Sequence, residues 1–325
     1  MIGSEILTKN RPIKIEYVEN PTIPKEATLR VKTTGNITEL MYSQRQSPGQ
    51  IYIRKINGHE YVDIRTGEIF EYETIENRSE NLDSVRRSLG RLRDYINTNC
   101  VNISNIKWVT LTYAENMTDT ERLYTDFKKF KQRMIYKYGL FEYIIACEPQ
   151  GRGAWHIHMM MIFPGKAPYI PNDEMANTWG HGFTTTKKLD ENISNIGAYL
   201  TAYLGDFDFS DLDKLTPGEL QQMKGKQVKD VEVLQPDGQK IPKKIIKGGR
   251  LHMYPAHFNL YRCSRGIKAP EITKEIEKDV QKKLKASSAK LTFEKTISIQ
   301  DADTEYQNTL NYRYYNSIAE CLQDL

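Results

Sequence analysis

Long apolar runs and paired cysteines are the first features that this sequence lacks. No apolar stretch in its 325 residues approaches the roughly 18 residues that a membrane-spanning helix needs. The four cysteines are scattered and form no CxxC pair, which argues against both a disulfide framework and a zinc ribbon. The first residues contain no apolar core of a secretory signal. We therefore expect a cytoplasmic protein with reduced thiols and no membrane partner.

The chain also has little net charge and no ATP-binding loop. Its formal net charge is +4, with 27% charged and 39% hydrophobic residues, as expected for a globular protein with a sizeable core. The length predicts one large domain or two ordinary ones. The pattern GxxxxGK[ST] is absent from the sequence, so any DNA unwinding would need a partner protein.

The most informative pattern is a pair of histidines on a predicted strand. Side chains alternate between the two faces of a strand, so His156 and His158 in residues 155–163 (WHIHMMMIF) share a face. Glu148 ends the preceding apolar run, and a Pro-Gln-Gly-Arg-Gly turn follows it. If the two runs form a hairpin, the three residues make a His-His-carboxylate metal site with open coordination positions. The alternative is that each histidine is an ordinary half-buried side chain.

A basic stretch near the carboxyl-terminal third predicts contact with nucleic acid. Residues 240–268 contain eight Lys or Arg and no Asp or Glu, with Tyr254, Phe258 and Tyr261 between them. Cations can follow the phosphates of a strand while aromatic rings stack on unpaired bases. The alternative is a solvated basic loop. The DNA-binding candidates are Arg152 in the turn and, in the basic stretch, Lys243, Lys244, Lys247, Arg250, Arg262 and Arg265. In contrast, the acidic residues 206–213 predict a surface insertion.

The order of the predicted elements indicates an α+β fold. Strand 107–113, a helix from a Thr118 cap to about residue 138, and strands 141–147 and 155–163 suit a central antiparallel sheet backed by helices. Apolar periodicity predicts further helices over 83–96 and 191–204, the latter with Gly197 packed closely on the sheet. Trp179 and His181 belong either to a loop near the metal or to a packed core with a surface histidine.

The two ends of the chain carry weaker signals. Residues 1–45 have little periodicity and predict partial disorder, whereas residues 50–72 predict a three-strand meander with an Asn57-Gly58 turn. Beyond residue 270 we expect a charged helix over 271–287, then a strand and a tyrosine-rich stretch. These ends are interpreted as accessory regions or oligomer contacts.

Three segments in this order resemble the motifs of HUH-type rolling-circle replication initiators, such as those of plasmids and filamentous phages. They are residues 107–113 (KWVTLTY), 148–161 (EPQGRGAWHIHMMM) and 198–204 (AYLTAYL). The resemblance extends over about residues 105–268 and includes the Ser264-Arg265-Gly266 stretch. It implies an HUH endonuclease core of the RRM-like or palm-like type in residues 101–269, between accessory regions 1–100 and 270–325.

The resemblance also implies a reaction and its participants. Tyr199 would be the first nucleophile and Tyr203 the second, each forming a 5′-phosphotyrosine and leaving a 3′-hydroxyl primer. Mg²⁺ or Mn²⁺ would be held by His156, His158 and Glu148. The partners would be single-stranded origin DNA and a host helicase and polymerase, in the cytoplasm of a bacterial cell.

One departure and three alternatives remain open at this point. Ala202 stands where many such proteins have a lysine, and Asp206 where a basic residue is common, so Lys187, Lys188 or the basic stretch would supply the charge. A DNA-binding regulator that does not cut is the first alternative. A two-His-one-carboxylate metalloenzyme, for which a double-sheet jelly roll is usual, and a single-strand transposase are the others. The tyrosines themselves could simply be edge residues of a core helix.

Overall fold

The computed structural model describes residues 13–45, 52–72, 74–187, 189, 197, 201, 204–208, 218, 220–221, 224–234, 240–301 and 305–318. The chain divides into two compact units, one made of Met1–Thr74 with Pro270–Leu325 and the other of Ile75–Ala269. No helix in the described ranges has both the length and the apolar character needed to cross a membrane.

The described elements confirm the α+β class. The helices are α1 (Leu82–Asn99), α2 (Thr120–Tyr138), α3 (Asn172–Trp179) and α4 (Glu277–Ala286). The strands are β1 (Ile13–Val18), β2 (Thr28–Thr34), β3 (Ile37–Ser43), β4 (Ile53–Lys55), β5 (Glu60–Asp63), β6 (Ile69–Glu71), β7 (Ile106–Thr112), β8 (Glu142–Pro149), β9 (Trp155–Ile162), β10 (Thr184–Lys187), β11 (Phe207–Asp208), β12 (Val228–Leu234), β13 (Lys240–Ile246), β14 (Tyr261–Cys263), β15 (Glu271–Ile276), β16 (Lys290–Asp301) and β17 (Gln307–Asn316). Every pairing between these strands is antiparallel.

The first unit is built from both ends of the chain. Its six-stranded sheet has the order β1-β16-β17-β3-β2-β15, and α4 packs Val280 and Leu284 against Leu29, Val31 and Leu40. Partial disorder was therefore the wrong expectation for residues 13–45. Their strands pair with partners beyond residue 270, which periodicity within a short window cannot reveal. The predicted meander is confirmed as the sheet β4-β5-β6.

The predicted helix over residues 271–287 is half wrong. Glu271–Ile276 is strand β15, paired with β2 from Glu271↔Thr33 to Ile276↔Thr28, and the helix begins only at Glu277. The charged EITKEI sequence alternates polar and β-branched residues, which suits a strand once a partner edge is present.

The second unit centres on a five-stranded sheet with the order β10-β7-β9-β8-β14. One face packs on α2 through a core that includes Leu111, Phe130 and Ile157, and the other packs on α1 through Leu92 and Ile96. Helix α1, which the sequence assigned to the amino-terminal accessory region, thus lies in the same compact unit as this sheet. A smaller sheet, β11-β13-β12, belongs to the same unit.

Helix α2 has the predicted length but a different amino-terminal cap. Asp119, not Thr118, is the N-cap residue, and its carboxylate accepts hydrogen bonds from the backbone N–H groups of Glu121 and Arg122. The helix ends at Tyr138 as predicted, because Gly139 adopts a positive φ of 84°.

Candidate metal centre

The predicted hairpin between β8 and β9 forms and brings three polar side chains to one face of the sheet. Glu148 lies directly opposite His156, and Ala146 lies opposite His158. The turn is closed by two backbone hydrogen bonds of 2.8 Å, from Gln150 N–H to Ala154 O and from Gly153 N–H to Gln150 O. The alternation of the strand thus places both histidines beside the glutamate.

The three side chains converge on one point. The Nε2 atoms of His156 and His158 are 2.8 Å apart, and each lies 3.3 Å from Glu148 Oε2. In the part of the chain that the structure describes, these residues form the one group of three or more potential ligands, with their ligand atoms within 4.8 Å of one another. Glu148 and His156 are buried and His158 is half-buried, so the site has an open side.

Neighbouring groups orient the triad. Thr110 on β7 places its Oγ1 3.2 Å from His158 Nδ1, which leaves Nε2 directed at Glu148. The guanidinium of Arg250 pairs with Glu148 Oε1 at 2.6 Å, and the backbone N–H of Gly205 donates to the same oxygen at 2.9 Å. Glu148 therefore uses one oxygen for structure and turns the other toward the histidines.

The charges at the site follow from these contacts. Burial alone raises the pKa of Glu148, but Arg250 and the hydrogen bonds of His156 and His158 outweigh it and hold that pKa well below its usual range. Burial lowers the pKa of His156, although Glu148 opposes the change. An ionised carboxylate thus faces an imidazole that stays neutral at pH 7.

This donor set fits a divalent cation. Ligand atoms around one octahedral ion at about 2.1 Å lie about 3 Å apart, which matches the separations of 2.8 and 3.3 Å in the triad. Two imidazoles and one carboxylate suit Mn²⁺ and accommodate Mg²⁺, and three protein ligands leave coordination positions open. The sheet is backed by helices, unlike the double-sheet jelly roll that is usual for the oxygenase alternative.

Asp206 corrects the interpretation of the acidic stretch as a surface insertion. Its side chain is buried, accepts hydrogen bonds from Lys247 Nζ at 2.6 Å and Gly248 N–H at 2.8 Å, and its backbone carbonyl accepts one from Arg250 Nε. The acidic residue therefore fixes the loop that carries Arg250 to Glu148. Sequence reasoning missed the Glu148–Arg250 pair, because the two residues are far apart along the chain and belong to different predicted segments.

The predicted DNA-binding residues lie in different surroundings. Arg152 donates to the backbone carbonyl of Tyr113 at 2.9 Å, and the Arg262 guanidinium lies 3.4 Å from the centre of the Tyr124 ring. Lys247 and Arg250 are ion-paired as described above. The remaining side chains are the exposed Lys244 and Arg265, and Lys243, whose side chain lies outside the described set. DNA binding by all seven stays a prediction.

The predicted nucleophiles Tyr199 and Tyr203 lie outside the described residues, as do Lys188 and Ala202. Helical residues are described on either side of Tyr199. Gly197 N–H donates to Asn97 Oδ1 of α1 at 2.7 Å, and Thr201 Oγ1 donates to the Gly197 carbonyl at 2.8 Å. Gly197 therefore packs against α1 and not, as predicted, against the sheet. Gly205, two residues after Tyr203 in the sequence, contacts Glu148.

Trp179 belongs to the core and not to the metal site. Its side chain is fully buried and its indole N–H donates to the Thr112 carbonyl at 3.0 Å. His181 lies 3.6 Å from the buried carboxylate of Asp126 on α2, and it is not part of the three-ligand group. The packed-core interpretation is the one that the contacts favour.

Comparison with protein families supports the resemblance. A family of replication-associated proteins of the ORF2 type matches residues 106–208, about a third of the chain. The match spans β7 to β11, including the triad and, by sequence, both predicted nucleophiles. The resemblance to replication initiators is thus confirmed for this segment. No curated protein matches the chain.

Proposed function

We propose that this chain, whose residues 106–208 match a replication-associated protein family, initiates rolling-circle replication as a metal-dependent endonuclease and strand transferase acting on single-stranded DNA. The observation that carries the proposal is the convergence of Glu148, His156 and His158 within 4.8 Å, inside the matched segment. The proposed substrate is origin DNA, and a host helicase and polymerase would act on the nicked strand.

The triad would hold Mg²⁺ or Mn²⁺ through Glu148 Oε2 and the two imidazole Nε2 atoms. When bound, such an ion polarises the scissile phosphate and offsets its negative charge. The chain prepares the ligands in two ways. Glu148 is already ionised, and His156 needs no deprotonation because burial lowers its pKa.

The proposed nucleophile is a tyrosine hydroxyl, with Tyr199 acting first. Its oxygen attacks the phosphorus, the bond to the 3′ oxygen breaks, and the departing oxygen takes up a proton to become a 3′-hydroxyl, while the phenolic proton passes to solvent. A phenol has an unperturbed pKa of about 10, so the reaction at pH 7 depends on charge stabilisation at the phosphate. Tyr203 would accept the strand in a second transfer. Reversal by a 3′-hydroxyl rejoins DNA without ATP, because the ester retains the bond energy.

The test is a covalent-adduct assay. The full chain is incubated with Mn²⁺ and single-stranded DNA tiled from the region flanking its own gene, and complexes that resist SDS are digested and mapped. We expect an adduct on a peptide with Tyr199 or Tyr203, lost with EDTA and in His156→Ala. Tyr199→Phe and Tyr203→Phe assign the order of attack.

Tyr136→Phe is the matched control, because Tyr136 is 91% exposed on α2 and makes no part of the triad. Adduct formation should be unchanged in this variant. Tight binding to one tile without an adduct on any tile would instead favour the non-cutting regulator. Metal binding with neither DNA binding nor an adduct would favour a different metalloenzyme.

A further inference from the structure

A second cleft in the unit Ile75–Ala269 has no role in the chemistry above. It has a volume of about 640 Å³ and lies between the first half of α1, with the turn before it, and residues 257–267. Serine and arginine side chains dominate the α1 side, and Tyr261 and Arg262 of β14 lie on the other. None of its lining residues is acidic.

The most telling residue of the cleft is Arg78. Its side chain is only 8% exposed, and its Nε is buried without any hydrogen-bond partner. Across the described ranges no carboxylate forms an ion pair with it, and burial is the one cause that shifts its pKa, downward. A guanidinium nevertheless stays charged in proteins. A buried cation without an anion is costly, so the position implies an anionic ligand supplied from outside.

The other lining groups suit a phosphate-bearing strand. Arg91 and Arg262 add two exposed cations, and the rings of Tyr95 and Tyr261 lie 6.0 Å apart. Several cations with aromatic rings match the alternation of phosphates and bases along a single strand better than they match one free anion. The Ser84 and Ser88 side chains on α1 complete a polar wall.

The cleft is continuous with the row of the sheet that carries the metal ligands. Tyr261 pairs with Ala146, and Ala146 pairs with His158. Residues paired in this way share a face, so Tyr261 and His158 lie two strand spacings apart, about 10 Å. A strand that reaches the triad is therefore within a short distance of the cleft.

We propose that this cleft binds the phosphodiester backbone of a single nucleic-acid strand, with Arg78 and Arg91 as phosphate contacts. The proposal rests on the proposed function for the identity of the strand, but its test needs neither metal nor cleavage.

The experiment measures the affinity of the full chain for a fluorescein-labelled oligothymidylate by anisotropy, in EDTA and over a range of salt concentrations. Arg91→Gln changes an exposed side chain and should leave folding intact, whereas Arg78→Met removes the buried charge at similar size. We expect each to weaken binding roughly tenfold. The slope of log K against log salt should also decrease in magnitude by about 0.7 per lost phosphate contact.

Lys129→Gln is the matched control, since it removes one exposed positive charge from α2 in the same unit. Its effect on affinity should be small. Inorganic phosphate at constant ionic strength is the second arm, and it should compete only weakly with the oligonucleotide. Unchanged affinity and slope in Arg91→Gln and Arg78→Met, or competition by phosphate as strong as by unlabelled oligonucleotide, would overturn the proposal.

Failure here is distinguishable from failure of the proposed function. His156→Ala should retain strand binding in EDTA, and Arg91→Gln should retain Mn²⁺ binding. A chain that forms no covalent adduct can still show the cleft effect, and a chain that cuts DNA can lack it.

Discussion

His158 is oriented by a threonine on the neighbouring strand. Thr110 Oγ1 lies 3.2 Å from His158 Nδ1, so the ring keeps Nε2 directed at Glu148. Hydrogen-bond partners of this kind fix the tautomer and the angle of a metal-binding imidazole. Thr110 lies in a predicted strand, but its importance depends on the register between β7 and β9, which pairs it with His158.

Thr110→Val should lower the affinity for Mn²⁺ by about 10- to 100-fold without removing a ligand. The variant keeps the shape of the side chain and loses its hydroxyl, so the imidazole is free to rotate or change tautomer. Isothermal titration with Mn²⁺ measures the effect. Thr185→Val is the control, because Thr185 is exposed and lies opposite Thr110 on β10. Equal losses in both variants would contradict the role of Thr110.

The cysteine thiols should react slowly in the folded protein. Burial raises the pKa of Cys100 and Cys147 to about 12 and that of Cys263 to about 11. The thiolate is the reactive form, and at pH 8 these thiols stay protonated. With DTNB at pH 8, in a Cys321→Ser background, we expect Cys263 to react first and all three to react at once in denaturant. Rapid labelling of Cys147 under native conditions would contradict its burial.

At the scale of elements, two glycines in helices have opposite consequences. A Cβ at Gly197 would lie 2.5 Å from the Arg93 carbonyl and 2.7 Å from Asn97 Oδ1, both on α1. A Cβ at Gly90, inside α1, would meet nothing within 4 Å. The same substitution therefore tests close packing at one site and helix propensity at the other.

Gly197→Ala should destabilise the protein by about 1–3 kcal/mol, because overpacking exceeds the gain in helix propensity. Gly90→Ala should stabilise it by about 0.5–1 kcal/mol, since only backbone entropy changes. Urea unfolding monitored by circular dichroism gives both free energies. Stabilisation by Gly197→Ala would mean that α1 and Gly197 do not approach closely in solution.

What the sequence could predict depends on how local each element is. The β8–β9 hairpin, with Glu148 across from the histidines, was predictable because its turn and both strands are contiguous. The strands in residues 13–43 were not, because their partners lie beyond residue 270. Residues 271–276 were assigned to a helix for the same reason. The Glu148–Arg250 pair likewise joins distant segments, and nothing in either segment alone indicates it.

At the scale of the whole chain, the two units differ in how they are assembled. The first takes strands from both ends, whereas the second is one continuous segment, Ile75–Ala269. The cores that include Ile157 and Leu92 consist entirely of residues within that segment. The triad, Thr110, Gly205 and Arg250 also belong to it. The second unit thus has its own core and its own complete set of metal contacts.

A fragment of residues 75–269 should therefore fold cooperatively and bind Mn²⁺ with an affinity within a few-fold of that of the full chain. A single contiguous core favours a two-state transition, which thermal and urea unfolding would reveal as coincident curves from different probes. Titration with Mn²⁺ gives the affinity, and the same fragment with His156→Ala shows how much binding is nonspecific. A fragment that unfolds without a cooperative transition would mean that the discontinuous unit is required for stability. A folded fragment with no affinity for metal would instead place the fault in the triad.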